Sequence, residues 1–134
     1  MSQSSPPPQS PSGELSLRVL AMPADTNPAG HIFGGWAVGQ MDMAGAMHAA
    51  SITETRVVTV AIDSMKFHKP VNVGDEVSCY TNIERIGRTS IALRIQMWVR
   101  RERHGDPVHV TDGVFIYVAL DENGKPTEIK PRAR

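Results

Sequence analysis

Apolar and polar residues alternate along Glu14–Leu20, where Ser16 and Arg18 separate Leu15, Leu17 and Val19. A period of two marks a strand with one buried face, so this spacing predicts a short strand. Pro23 to His31, PADTNPAGH, is turn chemistry throughout. From about Phe33 to Ile52 the alternation stops. Gly, Ala and Met fill most positions and proline is absent, which predicts one helix. At 1.5 Å per residue it runs about five turns, ~30 Å.

Beyond the helix the period of two returns. Arg56–Phe67 is rich in β-branched residues (Val57, Val58, Thr59, Val60, Ile62), and Pro70 ends the run. Asp75–Ile86 alternates Val77, Cys79, Thr81 and Ile83. Thr89–Arg101 carries Ile91, Leu93, Ile95, Met97 and Val99 on one face and Ala92, Arg94, Gln96, Trp98 and Arg100 on the other. In Val108–Leu120 the alternation places Val108, Val110, Val114, Ile116, Val118 and Leu120 on the apolar face. Ile86-Gly87-Arg88 and His104-Gly105-Asp106-Pro107 read as hairpin connections. The order is strand, long helix, four strands: an α+β fold with an antiparallel sheet of five to six strands. Each late strand has one apolar face to cover, and the helix is the one element available to cover it.

That helix is unusual. Val38, Gly39, Gly45, Ala46 and Ala49 neighbour Asp42 at helical spacing, and Trp36, Ala37, Met41, Ala44 and Met47 occupy the remainder. A helix apolar nearly all round is expected to be buried nearly all round. Asp42 stands in its middle with no basic residue within a turn. A buried, unpaired carboxylate costs several kcal/mol or becomes more basic. That makes Asp42 a candidate catalytic group; the structural alternative is a carboxylate bonded by neighbouring groups. Gly34-Gly35 opens the same helix, where free N–H groups form an anion or oxyanion site.

Composition narrows the partners. Over 134 residues Lys plus Arg is 14 and Asp plus Glu is 14, so a broad basic face for nucleic acid is not expected. One cysteine, Cys79, excludes an intrachain disulfide and a cysteine-built zinc site. His31, His48, His68, His104 and His109 show no metal-binding spacing, so no metal is predicted, and His48 reads as packed or hydrogen-bonded. Ser51, Ser64 and Ser90 lack the elbow of a serine hydrolase. No run of ~18 apolar residues predicts a membrane span, and no signal-peptide pattern opens the chain, so the expected setting is the cytoplasm. Residues 1–13, with Ser and Pro dominant, are expected to be a disordered tail, and 128–134 a basic tail after a domain over 14–127.

Several motifs taken together carry a resemblance. Leu17 to Asn27 (LRVLAMPADTN), Pro28-Ala29-Gly30, Ile32-Phe33-Gly34-Gly35-Trp36 and Gln40-Met41-Asp42 are followed by Arg56-Val57-Val58-Thr59-Val60, Met65-Lys66-Phe67, Pro70 to Asp75 (PVNVGD) and Gly87-Arg88-Thr89-Ser90. In order and spacing the sequence resembles the hot-dog-fold acyl-CoA thioesterases of the YciA type, over roughly residues 14–127. The resemblance implies a hot-dog fold, hydrolysis of acyl-CoA without a cofactor, and a homodimer with shared sites that assembles further into a hexamer. It implies catalytic roles for Asp42 and, from the other subunit, Asn27. Gly34 and Gly35 would supply oxyanion donors. Phe33, Trp36, Lys66, Lys69, Arg88, Thr89 and Ser90 are the expected substrate contacts, with Arg88, Lys66 and Lys69 toward the coenzyme A phosphates. His31 departs from the family, which commonly has an acidic residue there.

Two other readings stay open. Asp25 to His31 (DTNPAGH) nearly matches the D-x-N-P-x-H signature of hot-dog hydratases. One extra residue before His31 displaces that side chain by ~3.5 Å, too far for a dyad that needs ~3 Å contacts. A non-catalytic acyl-CoA binder is the other reading, which a carboxylate in the helix disfavours. Whether Asp42 would act as general base or nucleophile is equally open.

Overall fold

The computed structural model describes residues 10–132. Strand β1 (Glu14–Leu20) leads through a 3₁₀ turn at Pro23–Asp25 to helix α1 (Gly34–Ile52). Four strands follow: β2 (Arg56–Phe67), β3 (Glu76–Ile86), β4 (Ser90–Arg100) and β5 (Val108–Leu120). They form one antiparallel sheet in the order β1-β3-β4-β5-β2, and α1 packs against all five strands. The α+β arrangement expected from the hydrophobic pattern is thus present, with helix and strand bounds close to those read from the sequence.

The core lies between helix and sheet. Ala37, Met41, Ala44 and Ala49 of α1 meet Val77 and Cys79 of β3, Ile91, Leu93, Ile95, Met97 and Val99 of β4, and Phe115 and Tyr117 of β5. Gly45 is where helix and sheet come closest. A Cβ there would stand 2.6 Å from Ile95 Cδ1 and 2.8 Å from Tyr117 Cζ, with the Tyr117 hydroxyl nearer still.

Two expectations are corrected. The first concerns β5, whose inward face is not the one alternation from Val108 predicts. Phe115, Tyr117 and Ala119 are fully buried, whereas Val114, Ile116 and Val118 are half-buried on the outer face. The register explains this: Met97 faces Thr111 but Trp98 faces His109, so Val110 is the extra residue of a β-bulge. One extra residue moves every later side chain to the opposite face.

The second concerns α1, which is not buried all round. Gly35, Met43 and Met47 are exposed and Gly39 is half-exposed, a stripe at four-residue spacing that lies along one helix face. A single sheet covers one side of a helix, and none of the described residues covers the exposed stripe on the other.

Residues near both ends of the described chain bond to the fold. Ser12, inside the expected tail, pairs with the outer face of the sheet: its N–H donates to Gln96 Oε1 (3.3 Å), and its carbonyl accepts from Asn82 Nδ2 (2.9 Å). Residues 1–9 lie outside the described residues. At the other end Lys130 N–H donates to Thr53 Oγ1 (3.0 Å) and Arg132 Nε to the Ala50 carbonyl (2.8 Å). The Arg132 bond satisfies a backbone carbonyl at the C-terminal end of α1, which would otherwise go unpaired.

Candidate active site

Asp42 sits half-buried on α1, at the border between the covered and uncovered faces. Thr59 Oγ1 donates to its Oδ1 at 2.6 Å. The Tyr117 hydroxyl lies 3.1 Å from the same oxygen and 3.0 Å from the Asp42 backbone carbonyl. Thr59 and Tyr117 are direct cross-strand partners on β2 and β5, so one rung of the sheet aims two hydroxyls at one turn of the helix. Burial, and then the adjacent Asp42 charge, push the Tyr117 hydroxyl well above its usual pKa, which keeps it a donor. The carboxylate is therefore not unpaired, as the sequence alone suggested. Oδ2 accepts no hydrogen bond among the described residues and is free to meet a water or a substrate.

A cleft of about 360 Å³ opens beside the start of α1, lined by Ile32, Phe33, Gly34 and Ala37 on one side and by Phe67 to Val71 on the other. It brings together Phe33, Gly34 and Lys69 of the expected site, with Lys66 next to its wall on β2. The Gly34 and Gly35 N–H groups belong to the open first turn, where a helix has no acceptors of its own. Both glycines are exposed, and a Cβ at Gly35 would meet nothing within 4 Å. A carbonyl can therefore approach these N–H groups from solvent. Trp36 is half-buried against the core.

Asn27 organises the preceding loop. Its Oδ1 accepts from the N–H groups of Ala29 (3.0 Å) and His31 (3.1 Å), and its own N–H donates to the His31 carbonyl (2.7 Å). Gly30 closes this tight loop at φ +87°, a conformation that favours glycine. The His31 side chain is exposed. His48 is hydrogen-bonded, as the sequence suggested: Nδ1 to Thr81 Oγ1 at 2.6 Å, with Nε2 3.3 Å from Glu14 Oε2.

Arg88, Thr89 and Ser90 stand elsewhere. The register runs Phe67–Thr111–Met97 across one end of the sheet and Ser90–Val118 across the other. Seven residues of strand separate the two ends, ~23 Å. Arg88 lies at the C-terminal end of α1, held through its carbonyl by Ile129 N–H (2.9 Å). Within one chain the basic residues expected to hold the same ligand are at opposite ends.

A carboxylate steadied by two hydroxyls and, two helical turns away, an apolar cleft capped by free helix N–H groups are the parts of an acyl-transfer site. The family model described as Thioesterase superfamily matches residues 29–105. The chain belongs to this family. It is 49% identical over 119 residues to the Escherichia coli protein named acyl-CoA thioester hydrolase YciA, an alignment covering 87% of this chain and 90% of the relative. Among solved structures, a hexameric thioesterase from Yersinia pestis superposes with a TM-score of 0.85 at 50% identity, covering 89% of this chain and 98% of the other. A hexameric hotdog fold thioesterase of Campylobacter jejuni gives 0.81 at 40% identity, covering 88% and 91%. The fold of this thioesterase-superfamily chain is the hot-dog fold, a long helix against an antiparallel sheet. Sequence reasoning missed Thr59 and Tyr117 as site residues. Their signal was a polar group at an inward position on each of two strands, hidden on β5 by the bulge at Val110.

Proposed function

We propose that this chain hydrolyses acyl-CoA thioesters to a free acid and coenzyme A, in active sites each shared between two copies of the chain. The observation that carries the proposal is the position of Asp42 relative to the first turn of the same helix. Gly35 and Asp42 are seven residues apart, two turns on one face and ~10.5 Å along the axis. A thioester carbonyl must lie ~3 Å from its oxyanion donors with the attacking group beside it. One helix cannot serve both needs for one carbonyl. Two helices antiparallel about a two-fold axis can, because the first turn of one then faces Asp42 of the other.

The surface of the single chain supports this. The exposed stripe Gly35-Gly39-Met43-Met47 gives a second helix a close seat, and β2 is an edge strand with an unpaired backbone rim. An antiparallel two-fold also carries Arg88, at the C-terminal end of α1 in one copy, toward Lys66 and Lys69 beside the N-terminal end in the other. The three basic residues then frame one phosphate-bearing ligand. Asp42 activates water or attacks the thioester carbon itself; Thr59 and Tyr117 fix its orientation; Gly34 and Gly35 N–H groups take up the developing negative charge, and Asn27, in the loop that leads into this helix, travels with them to orient the water or the carbonyl. No metal or cofactor enters this scheme. The names of the relatives support acyl-CoA as substrate, the hexamers among the solved structures support a trimer of dimers, and the cytoplasm is the setting in keeping with the sequence reading.

The test is complementation. Asn27→Ala and Asp42→Asn proteins should each release almost no thiol from acyl-CoA. Unfolded together and refolded at equal ratio, half of the dimers are mixed, and each mixed dimer has one intact site of two. About a quarter of wild-type activity should return. No recovery, with mixed dimers present, places Asn27 and Asp42 in one chain's site. Loss of enoyl absorbance without thiol release would favour the hydratase reading instead.

A further inference from the structure

Behind the cleft wall a second group of side chains converges that takes no part in the hydrolysis above. His68 belongs to the strap after β2 that lines the cleft, and His109 and Asp112 project from β5. One ligand atom from each lies within 4.8 Å of the other two. His68 Nε2 is 4.0 Å from Asp112 Oδ1, and His109 Nε2 is 3.9 Å from Asp112 Oδ2. The two imidazoles face each other at 5.0 Å between centroids, and Trp98 backs His109 at 5.1 Å. The His109 side chain is nine-tenths buried, yet its Nε2 has no hydrogen-bond partner. A buried polar nitrogen left without a partner is destabilising, so this atom is held in want of one.

We propose that His68, His109 and Asp112 bind a divalent transition metal of the zinc class. Two imidazole nitrogens and one carboxylate oxygen, with a fourth position open to solvent, are the donor set of a three-ligand zinc site. Hard ions such as Mg²⁺ and Ca²⁺ are disfavoured, because they take oxygen ligands. Ligand atoms ~2.0–2.1 Å from a tetrahedral ion stand ~3.4 Å apart. With one oxygen of Asp112 as ligand the three donor atoms lie within 4.8 Å of one another, so the gaps must close by up to ~1.4 Å, and the exposed His68 side chain is the one able to move. Arg94 Nη1 lies 3.9 Å from Asp112 Oδ2, but Arg94 Nε is nearer to Glu84 Oε2, at 3.3 Å. The guanidinium can therefore yield the aspartate to an ion. Bound metal would add a side-chain tie to the His68 N–H bond to the Val110 carbonyl (2.7 Å) that already joins this strap, one wall of the cleft, to β5. Sequence spacing gave no hint of the site because 41 positions separate His68 from His109.

The experiment titrates the full chain, stripped with EDTA, with ZnCl₂ by calorimetry, and with Co²⁺ for its visible ligand-field bands. One ion per chain and a zinc-dependent rise in Tm are expected. Outer-shell partners alone are worth 10–100-fold in metal affinity, so loss of a direct ligand in His68→Ala should weaken binding at least ~100-fold. His109→Gln should do the same. Because His68 is exposed, His68→Ala tests the site even if His109→Gln folds poorly. His31→Ala and His104→Ala, at exposed histidines away from the cluster, should bind as wild type does. Absence of binding in wild type, undiminished binding in His68→Ala, or loss in His104→Ala would each overturn the assignment.

Discussion

Gly45→Ala sets two effects against each other, and the structure decides which wins. In a helix interior alanine is favoured over glycine by ~1 kcal/mol. Here the added methyl would stand 2.6 Å from Ile95 Cδ1 and 2.8 Å from Tyr117 Cζ, closer than real Cβ atoms come. Ile95 and Tyr117 are both fully buried and have no space to retreat into. Overpacking of this kind costs ~1–3 kcal/mol. The ring can yield only by moving its hydroxyl off Asp42, which forfeits a hydrogen bond to a charged group; at the low end, for a carboxylate partly in water, that is ~1.5 kcal/mol. The balance is ~1.5–3.5 kcal/mol destabilising, or a Tm lower by ~6–14 °C at ~4 °C per kcal/mol. Denaturant and thermal unfolding measure the loss, and thiol release from acyl-CoA should fall with it. Tyr117→Phe removes the hydroxyl without a clash. If the hydroxyl carries the conflict, the double variant Gly45→Ala, Tyr117→Phe should be no less stable than Gly45→Ala alone. A Gly45→Ala protein more stable than wild type, or strictly additive losses, would refute the reasoning.

Asp42→Asn should keep the fold and lower kcat at least ~100-fold, the floor for loss of a general base; a near-normal rate would make the carboxylate structural. Arg88→Ala should raise KM for acyl-CoA with a smaller change in kcat, because ground-state and transition-state binding are lost alike. A pantetheine thioester that lacks the nucleotide phosphates should be indifferent to Arg88→Ala, and an equal effect on both would count against a phosphate contact. Cys79 is fully buried and its thiol is pushed up to about 12 by that burial. Since the thiolate is the reactive form, the native protein should give no reaction with Ellman's reagent and one equivalent in guanidinium chloride. Rapid stoichiometric labelling of the native state would show the core around β3 to be open.

The parts of the fold legible in the sequence are those where a single period runs unbroken. On β4, Ile91 to Val99 alternate without interruption, and all five inward residues are buried. The helix was legible from its lack of proline and its Ala and Met content, and Asp42 from being its one charge. β5 was misread because alternation carries no mark of where an extra residue enters. Two clues were present. Phe115 and Tyr117, the largest side chains of the strand, fall on the odd positions, and Gly113 interrupts a strand that otherwise favours bulky residues. A Cβ at Gly113 would lie 2.8 Å from Met65 Sδ and 3.4 Å from the Asp63 carbonyl, so β2 passes close to this glycine. Misplacing that face hid Tyr117, and with it the partner that changes Asp42 from an isolated charge into a held one.

The same geometry gives the small residues of the helix a more specific role than close packing. Gly45 is three residues beyond Asp42, on the same face of α1. The volume its missing side chain leaves is the volume the Tyr117 ring fills, and from that seat the hydroxyl reaches both the Asp42 carboxylate and its backbone carbonyl. Thr59 needs no such allowance, because a short β-branched residue on β2 spans the remaining gap in one 2.6 Å bond. One rung of sheet, one missing Cβ and one carboxylate thus form a single unit. Among the described residues, the first-turn N–H groups of α1 stand two turns from Asp42, too far to share one carbonyl with it. The uncovered stripe from Gly35 to Met47 is the face on which a second copy would bring the two together.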